Sequence, residues 1–289
     1  MHFEGNIIRP PSEALSILLQ VTVGCSHNGC TFCGTYDQGP FKIKGREIIE
    51  ADIDWAARRC RDQRRLFLCD GDAMAIPQQR LLEILELINR KLPRVTRVGI
   101  YANARCLKRK SLEDLQALKA RKLGIVYMGL ESGDDETLVK VNKKADAETM
   151  IHEARKVREA GIKLSVTVLL GLAGTERSQQ HAEATGRVLS AIDPDYVGAL
   201  SLMLLPGTPL CDDYEAGRFT LPDSMGMLAE LRTMIEHTHL SRGLFMANHA
   251  SNYLPIKARL PQDRKATLAL IDLALAGEVP LRPEWYRGL

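Results

Sequence analysis

At 289 residues with 45% hydrophobic content, the chain is long enough to bury one barrel-sized core with an extension, or two smaller domains. Thirty-nine basic residues against thirty-six acidic ones leave a formal charge of +3, too little for the dense positive stripe of non-specific nucleic-acid binding. No apolar run approaches the ~20 residues needed to cross a bilayer. Met1 to Pro11 also lacks a basic-then-apolar leader, and seven cysteines without a secretory signal argue for reduced thiols rather than a disulfide framework, so a cytoplasmic location is expected.

In chain order, Leu15 to Val23 reads as a first strand, Arg46 to Asp62 as a helix, and Arg65 to Cys69 as a second strand. Pro77 then precedes the Leu81, Leu82, Leu85, Ile88 stripe of a helix, and Arg97 to Tyr101 is the third strand. Ser111 to Asp114 is a capping-box candidate before the fourth strand, Ile125 to Leu130. Gly161 ends another helix ahead of the fifth strand, Lys163 to Leu170, and Tyr196 to Leu205 is the sixth. Short, almost wholly apolar strands alternating with amphipathic stretches indicate parallel β/α units covered on both faces. Six units fit an open doubly wound sheet or an incomplete barrel equally well. After Pro209 the rhythm changes, and residues 211–289, with no convincing further strand-helix alternation, are expected to form a mostly helical extension with helices at Met225 to Thr238 and Pro261 to Ala276. The domain expectation is therefore a core over 13–210 and an extension over 211–289.

The chemistry concentrates immediately after the first strand, where Cys25, Cys30 and Cys33 lie within nine residues while Cys60, Cys69, Cys106 and Cys211 are scattered singly. A loop at the carboxyl end of a strand is where α/β folds build their sites. Three thiolates can each bind one iron of a [4Fe-4S] cubane and leave the fourth iron open to another molecule. The alternative is a structural zinc site closed by His27 as Cys₃His, although zinc ligands usually come from two separated knuckles rather than one cramped loop.

The Cys25 to Cys33 loop, with Phe32 before its last cysteine, resembles the radical S-adenosylmethionine (SAM) superfamily. Its C-x₄-C-x₂-C spacing departs from the usual C-x₃-C-x₂-C, as it does in Elongator-subunit-like and related members. Gly71-Asp72-Ala73 resembles the small-residue motif whose backbone groups hold the SAM amino group. Gly129 to Leu138 is closely similar to a segment of the families related to oxygen-independent coproporphyrinogen oxidase. The resemblance covers about Leu15 to Pro209 and implies a partial (β/α)₆ TIM-like barrel.

It also implies roles for single residues: Glu131 approaches the SAM ribose, Lys143, twelve positions later, binds the methionine carboxylate, and Thr167 makes a polar contact. Leu204 and Leu205 pack on adenine or simply in the core, while Tyr101 and Asn103 fall near a ribose contact. Phe32 and Ser132, inside the matching segments, belong to the same cofactor-binding set. The cofactors implied are a [4Fe-4S] cluster and SAM, the partners a low-potential ferredoxin or flavodoxin and a small-molecule substrate, with no membrane and nucleic acid disfavoured.

The activity implied is reductive cleavage of SAM to a 5′-deoxyadenosyl radical that abstracts hydrogen from the substrate. An RNA- or protein-modifying enzyme and a non-catalytic zinc or iron-sulfur module remain alternatives. Cys69 and Cys106, at strand ends, are candidate substrate thiols or hydrogen donors, or else small hydrophobes. The polar stretch Asn248 to Pro255 is a candidate lid or an ordinary turn between helices.

Overall fold

The first apolar run forms strands β1 (Ile17–Gln20) and β2 (Thr22–Val23) in the computed structural model, which describes residues 1–35 and 39–288. A short β3 (Lys42–Ile43) pairs antiparallel with β2. The chain then alternates as expected: α1 (Arg46–Arg59), β4 (Arg65–Cys69), α2 (Gln78–Lys91), β5 (Arg97–Ala102), α3 (Ala104–Leu107), α4 (Leu112–Ala120) and β6 (Leu123–Glu131). It continues through α5 (Asp135–Lys140), α6 (Ala147–Glu159), β7 (Lys163–Leu170), α7 (Ser178–Ile192) and β8 (Tyr196–Ser201). Last come α8 (Pro209–Glu215), α9 (Ser224–Glu236), β9 (Leu244–Met246), β10 (Lys257–Arg259) and α10 (Arg264–Leu275).

Two compact units divide these elements: Met1–Asn28, Thr35–Met128 and Arg155–Leu164 in the first, and Gly29–Gly34, Gly129–Ala154 and Ser165–Leu289 in the second. In the first, β1, β4, β5 and β6 run parallel in that order. Its core holds Leu66, Phe67 and Leu68 of β4 and Leu81, Leu85 and Ile88 of α2 at zero exposure. Phe67, Tyr101 and Tyr127 meet edge-to-face with centroids 4.9–6.0 Å apart. The Tyr127 hydroxyl donates to Glu13, a buried carboxylate that Arg97 also binds at 2.5 Å. Ser111 caps α4 with the reciprocal bonds of a full capping box to Asp114.

In the second unit β7 and β8 are parallel, with Thr167 opposite Gly198 and Leu169 opposite Leu200. β9 adds parallel to β8 and β10 antiparallel to β9. These two short strands add to the expected, mostly helical extension over 211–289. Each has only three residues, too few for an alternating pattern to declare itself, and each survives by adding to an existing edge. β8 also ends earlier than expected, at Ser201, because the apolar run beyond it leaves the ladder and packs instead. The expected helices of the extension form as α9 and α10, with α9 laid against α7 and α10 against α9.

Candidate active site

In the first unit the site grows from the carboxyl ends of β2, β4 and β5. Asp70, just past β4, turns with a positive φ of 86° and is buried. Its Oδ2 accepts the Gly24 backbone N–H at 2.9 Å and the Gln20 amide at 3.1 Å, which fixes the entry to the cysteine loop. Gly24 itself has φ +81°, a conformation that glycine adopts freely because it has no Cβ to clash. Cys25 follows, half-exposed.

Two residues past Asp70, Asp72 is fully buried, and its side chain is the centre of a network rather than a bystander to its backbone. Its Oδ2 accepts from the Ser26 hydroxyl, from Asn103 Nδ2 at 2.7 Å and from the Cys106 thiol at 2.7 Å. Asn103 is held for this by capping α3, its Oδ1 accepting the Cys106 N–H at 3.0 Å. The other oxygen, Oδ1, has no hydrogen-bond partner among the described residues. Burial raises the Asp72 pKa, opposed by the three neutral donors. Ala73 begins a 3₁₀ turn directly after it, and Gly71 is half-buried.

Burial pushes the Cys106 thiol up to about 12, with the Asp72 charge adding to the rise. The Cys69 thiol is likewise pushed up to about 12, chiefly by burial, and donates weakly to the Phe67 carbonyl. Both are protonated at neutral pH, so neither is an activated thiolate. Tyr101, fully engaged with Phe67 and Tyr127, lies in the aromatic core, whereas Asn103 joins Ser26 and Asp72.

In the second unit, Cys30 and Cys33 are both half-exposed, and the Cys33 N–H closes a turn onto the Cys30 carbonyl at 3.2 Å. Between them Thr31 donates its N–H to Val141 O and accepts from Leu210 N, while Asn142 Nδ2 donates to Gly29 O at 2.6 Å. Phe32 packs on the apolar group of Val141, Leu172, Leu202 and Leu210, and Leu204 packs on the same group. Leu204 therefore sits beside Phe32 in a shared apolar wall. Thr167 and Leu169 are the half-exposed positions of β7, alternating with buried Val166 and Val168.

Glu131, the last residue of β6, has φ +66°, so its side chain folds back over Gly129 and pairs with Lys143 at 2.9 Å. Both partners are 12% exposed. A Cβ at position 129 would stand 2.1 Å from Glu131 Oε1 and 3.1 Å from Lys143 Nζ, so only glycine leaves room for the pair. Sequence reading placed Glu131 and Lys143 separately on one ligand, and the structure brings them into contact.

Ser132, next along, is buried and bonds the ring of His181 at 2.7 Å. His181 and its partner Glu230 were not singled out from the sequence, being 49 and 98 residues beyond Ser132. The only signal they left was a charged or polar residue inside an otherwise apolar helix face. Asp134 caps α5 and forms a bidentate pair with Arg177 at 2.8 and 3.1 Å. Burial works against its charge, but the Arg177 and Thr137 bonds win and hold its carboxyl at about 2.

The polar stretch at 248–255 is anchored to β8. Ser251 accepts from Ser201 N, Asn252 accepts from Ser201 Oγ at 2.9 Å and donates to Ala199 O at 2.8 Å, and His249 bonds Ser251.

The chemistry of the donor set, three thiols on one loop, fits a [4Fe-4S] cluster. Thiolates that each take a different iron of a cubane need no common focus, whereas tetrahedral zinc demands one. His27, the would-be fourth zinc ligand, has Nδ1 engaged by the Arg105 guanidinium at 3.0 Å.

A family model for the radical SAM superfamily matches residues 19–183, more than half of the chain. The chain belongs to the radical SAM superfamily. Its members use a [4Fe-4S] cluster and SAM, and this chain is an enzyme of that class. An uncharacterized protein of Methanocaldococcus jannaschii is 24% identical over 287 residues, covering 96% of this chain and 81% of that protein. The biotin synthase of Alkalilimnicola ehrlichii is 29% identical over 218 residues, and the chain spans 60% of its length. Escherichia coli coproporphyrinogen III oxidase, a radical SAM enzyme, superposes with a TM-score of 0.56 at 19% identity, covering 76% of this chain and 51% of the other. The fold class expected from the sequence, a partial (β/α)₆ TIM-like barrel, is the one shared with these radical SAM neighbours. No helix among the described residues is long and apolar enough to cross a membrane.

Proposed function

We propose that Cys25, Cys30 and Cys33 hold the [4Fe-4S] cluster with one iron open to SAM, and that the enzyme abstracts hydrogen from a small-molecule substrate. When bound, cluster and SAM together supply a one-electron cleavage that yields a 5′-deoxyadenosyl radical. The observation that carries the reading is the half-buried Glu131–Lys143 pair at the end of β6, where the superfamily resemblance puts the SAM ribose and carboxylate. A lysine out of bulk water gives the carboxylate a cationic partner, and Glu131 keeps that lysine charged and aimed until SAM arrives.

The other residues divide the work of orienting SAM. Gly71, Asp72 and Ala73 receive the amino group, for which the unsatisfied Oδ1 of Asp72 is a ready acceptor. Asn103 and Ser132 supply polar contacts or hold those that do, and Thr167 offers a hydroxyl from the half-exposed positions of β7. Phe32 and Leu204 provide one apolar wall, which keeps water from the loop bearing Cys30 and Cys33. A low-potential ferredoxin or flavodoxin is the electron donor.

The small-molecule reading is favoured over an RNA substrate by the near-balanced charge. Anaerobic reconstitution should give four irons per chain and, with dithionite and SAM, 5′-deoxyadenosine. Cys33→Ala should lose both, by at least two orders of magnitude in product. Binding of one tetrahedral zinc instead would overturn the reading. Bulk tRNA that binds at physiological salt, with affinity falling steeply as salt rises, would overturn the small-molecule assignment alone.

A further inference from the structure

Three hydrogen-bonding groups in the second unit line up, the Asp134 amide, the Ser132 hydroxyl and the His181 ring, with the Glu230 carboxylate beside the far side of the ring, and all are buried. The Asp134 N–H donates to Ser132 Oγ at 3.0 Å, and Ser132 Oγ lies 2.7 Å from His181 Nδ1. On the far side of the ring, Nε2 faces two acceptors and no donor, Leu169 O at 3.1 Å and Glu230 Oε1 at 3.3 Å, so Nε2 carries its hydrogen. In the neutral ring Nδ1 then accepts the Ser132 hydroxyl, and the bonds run one way from the Asp134 amide through Ser132 and the ring to the Leu169 carbonyl, with the Glu230 carboxylate beside the same ring nitrogen.

Glu230, beside the ring, holds two further groups. Its Oε1 also accepts the Gly171 N–H at 2.6 Å, and its Oε2 accepts the Ser178 hydroxyl at 2.5 Å. One carboxylate on α9 therefore ties together the turn after β6, through His181 and Ser132, and the turn after β7, through Gly171. Close helix packing makes the reach possible. A Cβ at Gly186 of α7 would meet Met234 O and His237 Cβ at 2.7 Å, so α7 and α9 approach to a separation only glycine permits. The turn itself is clamped from another side: Gly133 donates to Thr185 Oγ1 at 2.8 Å, and a Cβ there would stand 2.6 Å from Ala184 O.

A purely structural core has no use for this arrangement. His181, Ser132 and Glu230 are at or near zero exposure, and burying such groups costs free energy that apolar side chains of the same size do not incur. Their neighbours on α9, Met227, Leu228, Leu231 and Met234, are apolar. What the bonds fix is the turn immediately after Glu131, a residue already in the uncommon left-handed conformation that sends its carboxylate to Lys143.

We propose that His181 and Glu230 are positioning residues for SAM: through Ser132 they lock the Glu131 turn and so set SAM affinity, Glu230 from a helix outside the family-matched segment. The proposal rests on the reading of Glu131 and Lys143 as SAM contacts. It concerns binding rather than the bond-breaking step, because none of the three groups reaches the reacting atoms.

The test uses the reconstituted full-length protein and measures SAM affinity by equilibrium dialysis beside SAM-cleavage kinetics. Ser132→Ala removes one oxygen and should weaken SAM binding about tenfold and raise KM for SAM alike. Iron content should stay within twofold of the parent, which separates weakened SAM binding from loss of the cluster. His181→Leu should weaken binding at least as much. His181→Gln should restore most of it, because an amide sets an acceptor beside a donor about as the two ring nitrogens do. If Ser132→Ala and His181→Leu leave SAM affinity unchanged while Lys143→Ala lowers it, the positioning role is overturned and the SAM contacts stand. If Lys143→Ala has no effect either, the SAM reading falls and takes the positioning role with it. Should His181→Leu fail to fold, Ser132→Ala decides alone.

Discussion

Asp72 and Asp134 are both buried carboxylates at the carboxyl ends of strands, and their surroundings push them in opposite directions. Asp134 has Arg177 locked on it bidentately and a backbone N–H at its back, and its carboxyl is held at about 2. Asp72 has three side-chain donors, all neutral, and one oxygen with no hydrogen-bond partner among the described residues, and burial raises its pKa. A carboxylate that is finished, with its cation in place, stabilises the fold. One surrounded only by neutral donors stores an unmet attraction for a cation, which is what a binding site needs and a scaffold does not.

The contrast can be broken most sharply by Asp134→Ala, which removes the α5 cap and strands Arg177. A loss of about 2–3 kcal/mol at pH 7 is expected from the denaturant midpoint. Because the Asp134 pKa is depressed, its contribution is complete above its ordinary value near 3.8 and disappears as pH falls through about 2, so the gap between parent and variant should close over that range. A gap that persists at pH 2 would mean the arginine pair is not its source. Ser111→Ala supplies a yardstick, since it deletes a cap with no buried charge, and about 1 kcal/mol should go, with no pH dependence between 5 and 8. The smallest effect belongs to Asp72→Asn, which strands no cation: stability should change by less than about 0.5 kcal/mol. A loss as large as that of Asp134→Ala would show that Asp72 is scaffold and erase the distinction.

How much of this was readable beforehand follows from range. β4 and β7 formed over the residues expected because each is a continuous apolar run bounded by polar or turn residues. The Ser111 cap was legible because both of its partners lie within one helical turn. β8 was overread because Leu202 and Leu204 are apolar for a different reason, packing with Phe32, and periodicity does not separate the two. β9 and β10 are too short to show a pattern at all. Single site residues such as Glu131 and Lys143 could be named from the superfamily motif, but their mutual contact depends on a left-handed backbone at a non-glycine residue, which no local preference foretells. His181, Glu230 and the Cys106–Asp72 bond join positions 34 to 98 residues apart, where sequence spacing carries no signal.

Because the Glu230 carboxylate stands well past residue 183, the stretch that defines the superfamily is not self-sufficient here. Grafting a foreign tail onto this core, or this core onto a foreign tail, would leave an imidazole hydrogen and a glycine amide facing the wrong chemistry unless the newcomer brought its own acid to the same spot. Chimaeras built on this core would be sorted by whether they carry that pair of oxygens.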